Sequence, residues 1–181
     1  MLKLSIYHTT GASTIKMRVG LFISFLLIFF SAKAQDTAYD EMLKTYYKNT
    51  VPTIQPADLY KRMLRGDIMH ILDTRMKKEF EVSTLPGAQH VGFLSFNVKK
   101  ISDIKKDELV IVYCTIGARS ESIGEKIQDK GYKNVYNLYG GIIQWVNSGY
   151  PLVNAENQKT SDVHVYSKDW GQWLKRGTAV Y

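Results

Sequence analysis

Residues 112–120 read Val112-Tyr113-Cys114-Thr115-Ile116-Gly117-Ala118-Arg119-Ser120, and they hold the one cysteine of the chain. The preceding run, residues 109–113 (LVIVY), is apolar on both faces, as a central parallel strand must be. Residues 119–130 read as a helix, with Ile123 and Ile127 facing inward, Gly124 allowing close approach to a sheet and Gly131 ending it. Cys114 is therefore expected at the carboxyl end of a strand, where open parallel sheets bind ligands. A loop curling round the sulfur would aim the N–H groups of Thr115, Ile116, Gly117, Ala118 and Arg119 at one point, together with the positive end of the helix dipole. Such surroundings favour a thiolate and also cradle an anion. The expected chemistry is nucleophilic attack by Cys114 within a binding loop of residues 115–119. The competing reading is an inert core cysteine; Gly117, the Arg119-Ser120 pair and the helix after them weigh against it.

Other chemistries are excluded by count and spacing. A lone cysteine forms no internal disulfide framework, no Cys-x-x-Cys redox pair and no zinc site of several thiolates. His8, His70, His90 and His164 show no metal-ligand spacing, and His70, inside a strand run, reads as a satisfied core residue. No metal site is expected.

The elements that must position Cys114 follow from periodicity. Pro56 opens a helix carrying Leu59, Tyr60, Met63 and Leu64, which Gly66 ends. Residues 68–72 (IMHIL) suit a buried strand, and Asp73-Thr74-Arg75 follow it directly. Leu85-Pro86-Gly87-Ala88 is a turn, and His90 to Phe93 a brief strand. Residues 134–138 (NVYNL) form another strand; Gly140-Gly141 then lead into a helix with Ile142, Trp145 and Val146 inward, closed by Gly149 and Pro151. This alternation predicts an α/β domain with a parallel sheet. A short helix is expected around Tyr39 to Tyr47. The tail, residues 154–181, is read as an arm that packs its tryptophans onto the domain.

The formal net charge of +7 suggests nucleic acid until it is located. Lys3, Lys16, Arg18 and Lys33 supply four of the seven charges, with no acid before residue 35. Residues 19–30 (VGLFISFLLIFF) are apolar, and Ala32-Lys33-Ala34 follows. Basic flank, short apolar core and Ala-x-Ala ending read as a secretory signal peptide cut after Ala34. Twelve residues fall short of the roughly 20 of a spanning helix, so no stable membrane anchor is expected after cleavage. Translation from Met17 would retain the whole signal. Residues 35–181 then carry 20 Lys+Arg against 17 acids, or +3, with the lysine pairs beside acids. No recognition element for nucleic acid is found.

The cysteine segment resembles the active-site loop of rhodanese-like sulfurtransferases, Cys-x-x-Gly-x-Arg-Ser. The flanking motifs agree in order. Asp73-Thr74-Arg75 with Glu79-Phe80 is similar to that family's Asp-x-Arg and Glu-Phe; Leu85-Pro86-Gly87-Ala88 to its Ile-Pro-Gly-Ala; Gly140-Gly141, Trp145 and Gly149-Tyr150-Pro151 to its closing Gly-Gly, Trp and Gly-x-Pro. The chain thus divides into a signal (1–34), an N-terminal segment (35–52), a rhodanese-like domain (53–153) and an aromatic C-terminal extension (154–181). The resemblance implies a parallel sheet with helices on both faces. Asp73, Arg75 and Glu79 are taken as structural support, with Arg75 and Glu79 able to pair if their segment is helical. Two departures stand out: Ser83-Thr84 where the family often has Gly-His, and Thr115 where thiosulfate-using members are often basic.

The resemblance implies a two-step transfer through a Cys114 persulfide. A small sulfur donor (thiosulfate-like, persulfide or polysulfide) loads Cys114, and a thiol, cyanide or a protein thiol partner unloads it, without metal or organic cofactor. An exported, periplasmic or secreted enzyme is expected. One rival is a Cys-based phosphatase or arsenate reductase, which places five residues between Cys and Arg; here there are four. The other is a non-catalytic binding or sensing module, against which stands the presence of Cys114.

Overall fold

The computed structural model describes residues 37–181, so the signal segment, its cleavage site and the choice of Met1 or Met17 lie outside the described residues. Among the described residues a division falls between Asp40 and Glu41, and Glu41–Tyr181 form one compact unit. The elements below belong to it, apart from the first turn of the opening helix, α1 (residues 37–46).

Five parallel strands form the central sheet in the order β1-β5-β4-β2-β3. They are β1 (Thr53–Ile54), β2 (Met69–Asp73), β3 (Gln89–His90), β4 (Leu109–Tyr113) and β5 (Asn134–Leu138). Helices α2 (Pro56–Arg65), α3 (Lys77–Val82), α4 (Ala118–Gln128) and α5 (Gly141–Asn147) flank it. β4 is central because its side chains suit burial on both faces: Val110 to Tyr113 have no exposed surface. Val110 and Val112 pack with Leu72, Ile123, Ile127 and Val135. Burial of each such side chain stabilises the fold by about 1.5–3 kcal/mol. A methyl group on Gly124 would lie 3.0 Å from Val51, so glycine there lets α4 sit close.

The expected elements are found, with shifted ends. β2 runs one residue later than expected, because Asp73 stays in register with Tyr113 of β4. The helix expected over 119–130 begins at Ala118, directly after Gly117 at φ +105°, and gives way to Gly131 at φ +86°. The strand expected from His90 to Phe93 stops at His90, since the chain turns at Gly92 (φ +74°). His70 is satisfied by Glu108 at 2.8 Å, but its side chain is 31% exposed; it is a sheet-end residue and not a core one.

The C-terminal segment has its own structure. β6 (Leu152–Val153) pairs with β7 (Lys159–Thr160), and β8 (Asp162–His164) runs parallel to β9 (Thr178–Val180), with α6 (Lys168–Gly171) between them. β8 rests against α3. The arm expected to pack its tryptophans does so only in part: Trp170 meets Tyr46, but Trp170 and Trp173 stay half-buried, and Val163, His164 and Val165 are the buried anchors. The β8 pairing commits Val163 and Val165 to the domain side, leaving α6 and Trp170 beside the cysteine loop. No helix among the described residues is long and apolar enough to cross a membrane.

Candidate active site

Three adjacent parallel strands end on one edge, and that edge carries the candidate site. β2 delivers Asp73-Thr74-Arg75, β4 delivers Cys114, and β5 delivers Tyr139-Gly140-Gly141. Cys114 is 1% exposed. The chain turns at Gly117 so that its N–H donates to the Cys114 Sγ at 3.2 Å. A side chain at Gly117 would collide with the Tyr47 phenol, besides straining the positive φ. The first amides of α5 hold the loop from behind: Ile142 N–H donates to the Cys114 carbonyl at 2.9 Å and Ile143 N–H to the Thr115 carbonyl at 3.3 Å. Gly141 (φ +57°) permits this, since a Cβ there would lie 2.5 Å from the Cys114 carbonyl oxygen. Asn137 of β5 donates from Nδ2 to the Gly117 carbonyl at 2.9 Å and takes the Ser120 hydroxyl at 2.7 Å.

The charged residues form two separate clusters. Arg75 and Asp73 are fully buried and paired at 2.6 Å, and Arg75 also donates to the Ser83 carbonyl. Tyr113 completes this cluster, donating to Asp73 at 2.6 Å and meeting the Thr84 hydroxyl at 2.6 Å. The expected Arg75–Glu79 pair does not form: α3 starts at Lys77, which leaves Arg75 outside the helix and turned to Asp73. Glu79 instead reaches the loop, accepting from both terminal nitrogens of Arg119 at 2.9 and 2.7 Å. Arg119 and Thr115 close the triangle, Nη2 to the Thr115 hydroxyl at 2.8 Å and that hydroxyl to Glu79 at 3.2 Å. Burial opposes the Arg119 charge, but Glu79, and then Cys114, raise its pKa on balance. Burial likewise pushes the Glu79 carboxyl up, and the Arg119 hydrogen bonds and charge bring it down below its ordinary value. Glu79 therefore neutralises Arg119 and pins the far end of the loop.

Several residues at the site lie outside the segments that the motifs single out. The Tyr47 hydroxyl donates to the Ile116 carbonyl at 2.7 Å and accepts from Gly140 N–H at 2.9 Å, stitching the loop to the β5–α5 turn. Tyr166 holds φ +70°, with its N–H donating to His164 Nδ1 at 3.1 Å. Its ring lies 4.9 Å from the Arg119 guanidinium. Trp170 meets Tyr46 edge to face at 5.2 Å. Tyr46, Ile116, Ala118, Tyr166 and Trp170, with Cys114, Thr115 and Arg119, line a cavity of about 200 Å³. The only signal of these residues in the sequence is a concentration of aromatics just before and well after the motifs. Among the described residues, no group of three or more His, Cys, Asp or Glu is placed to hold a metal ion.

The profile of the rhodanese-like domain matches residues 55–148. The chain belongs to the rhodanese-like domain family. A sulfurtransferase of Allochromatium vinosum is 32% identical over 106 residues, 59% of this chain and 98% of that relative. A tRNA uridine(34) hydroxylase of Bdellovibrio bacteriovorus is 32% identical over 114 residues, but the chain spans only 31% of its length. The thiosulfate sulfurtransferase of Pseudomonas aeruginosa superposes with a TM-score of 0.55 at 20% identity, over 77% of this chain and 26% of that one, which shows the shared fold. The expected family and the expected α/β parallel-sheet fold are thus both found. Family and relatives support sulfur transfer at a general level. In this rhodanese-like protein, Tyr46, Tyr47, Tyr166 and Trp170 fall outside the matched residues, so the cavity is finished by segments that flank the family domain.

Proposed function

We propose that the protein is an exported sulfurtransferase that carries a sulfane sulfur on Cys114. The observation that carries this reading is the Gly117 N–H on the Cys114 Sγ, in the wall of a cavity and just before the start of α4. The Cys114 thiolate attacks the outer sulfur of a donor. A new S–S bond forms, the donor's bond to that sulfur breaks, and its electron pair leaves with the donor fragment, as sulfite if the donor is thiosulfate. The loop of residues 115–119 would cradle the persulfide anion, with the Gly117 N–H already directed at the sulfur, and a preorganised amide of this kind stabilises it without reorganisation. An acceptor thiolate or cyanide then takes the outer sulfur and returns the Cys114 thiolate. Arg119 and Glu79 position the loop, and Asp73 with Arg75 braces the neighbouring strand end. The chemistry uses no cofactor of its own.

Intact mass after exposure to thiosulfate, mercaptopyruvate or a polysulfide tests this. A gain of about 32 Da is expected on the nucleophilic thiol, and none in Cys114→Ser. If no donor loads Cys114, the sulfurtransferase reading fails and a binding role takes its place.

A further inference from the structure

We infer that the segments flanking the family domain turn the cysteine site into a pocket for a small uncharged organic group, so that sulfur is exchanged with apolar persulfides and thiols in preference to thiosulfate. This rests on the sulfurtransferase reading above. The cavity walls are Tyr46, Ile116, Ala118, Tyr166 and Trp170. Arg119 is the one cation among the lining residues, and both its terminal nitrogens donate to the Glu79 carboxylate while the Tyr166 ring faces its guanidinium. The Thr115 hydroxyl is held within the same triangle. A dianion entering here sheds water and meets a charge already balanced, which is costly. An aromatic or alkyl group instead buries apolar surface against rings that still have room for it: Tyr46 is 49% exposed and Tyr166 56%.

The Tyr166 ring is placed, and does not merely drift into position. A left-handed backbone is a rare conformation for an aromatic residue, and it persists only where surroundings impose it. Here β8 is buried on α3, and the His164 acceptor holds the turn. The transfer balances without an external oxidant. Cys114–S⁻ attacks the terminal sulfur of R–S–SH, the new S–S bond forms, the old one breaks, and R–S⁻ departs with the electron pair, leaving Cys114–S–SH. Unloading to an apolar thiolate is the reverse step. At about 200 Å³, the cavity suits a group of benzyl size.

The test compares benzyl persulfide with thiosulfate as donors to the full chain, reading kcat/KM from the rate of Cys114 persulfide formation. Benzyl persulfide is expected to be favoured by about ten-fold or more, the scale of lost aromatic and apolar contacts. Trp170→Ala and Tyr166→Ala should each lower that ratio several-fold, and Trp170→Phe should retain most of it. A sulfonate on the benzyl ring, tested on the unaltered protein, should abolish the preference without any question of folding. Equal or better use of thiosulfate, or indifference to the ring sulfonate, overturns the inference while leaving the transferase intact. If neither donor loads Cys114, the sulfurtransferase reading itself falls, and this inference with it.

Discussion

At the scale of residues, the loop around Cys114 is held by few but irreplaceable partners. Tyr47→Phe removes a buried hydroxyl that both donates to Ile116 and accepts from Gly140, stranding two backbone groups. A loss of about 1–3 kcal/mol of stability is expected by urea denaturation, with slower loading of Cys114. Glu79→Gln leaves the Arg119 charge without its counter-ion in a largely buried place. The cost of breaking such a pair from one side is about 3–5 kcal/mol. The acid limb of the stability curve carries the same interaction. The Glu79 carboxyl is lowered in the folded state, so its contribution is complete above its ordinary value of 4.5 and fades as pH falls through the lower folded value. The unaltered protein should lose stability in that window, and Glu79→Gln should show a shallower acid slope there.

At the scale of elements, strand ends and flanking segments divide the work. The central placement of β4 brings Cys114 to the sheet's middle, and α4 and α5 supply amides from either side of the loop. The arm from β8 to β9 adds the aromatic walls, and its turn depends on a neutral His164 nitrogen accepting the Tyr166 N–H. Burial lowers the His164 pKa below its ordinary 6.5. The folded arm therefore disfavours the protonated ring, and its stability is full above 6.5 and declines as pH falls through the depressed value. Hydrogen exchange of residues 162–166, corrected for intrinsic rates, should hold steady above pH 6.5 and accelerate as the pH falls below it. Protection that does not change over that range would contradict the coupling of His164 to the arm.

At the scale of the whole molecule, the charge of +7 is concentrated in the segment proposed as a signal. Expression in a bacterium with separation of cell compartments is expected to yield an exported chain whose N-terminal residue is Gln35. Retention of Lys3 or Arg18 in the exported protein would refute cleavage after Ala34. The single cysteine is 1% exposed, so the oxidised protein should run without a disulfide-linked dimer on a non-reducing gel.

The parallel α/β architecture, the family and the place of Cys114 are legible in the amino-acid sequence alone. These depend on local patterns: the doubly apolar run 109–113, the glycines at 117 and 140–141, and a helix signal directly after the loop. Such signals are readable because they sit within a few residues of the chemistry they serve. Which side chain partners which emerges from the folded arrangement. Glu79 reached Arg119 across 40 residues, Tyr47 reached Gly140 across 93, and Tyr166 and Trp170 arrived from beyond the last motif to wall the cavity. Those contacts are set by where β2, β4 and β5 end and by how β8 rests on α3, and no local spacing encodes a distance of that kind.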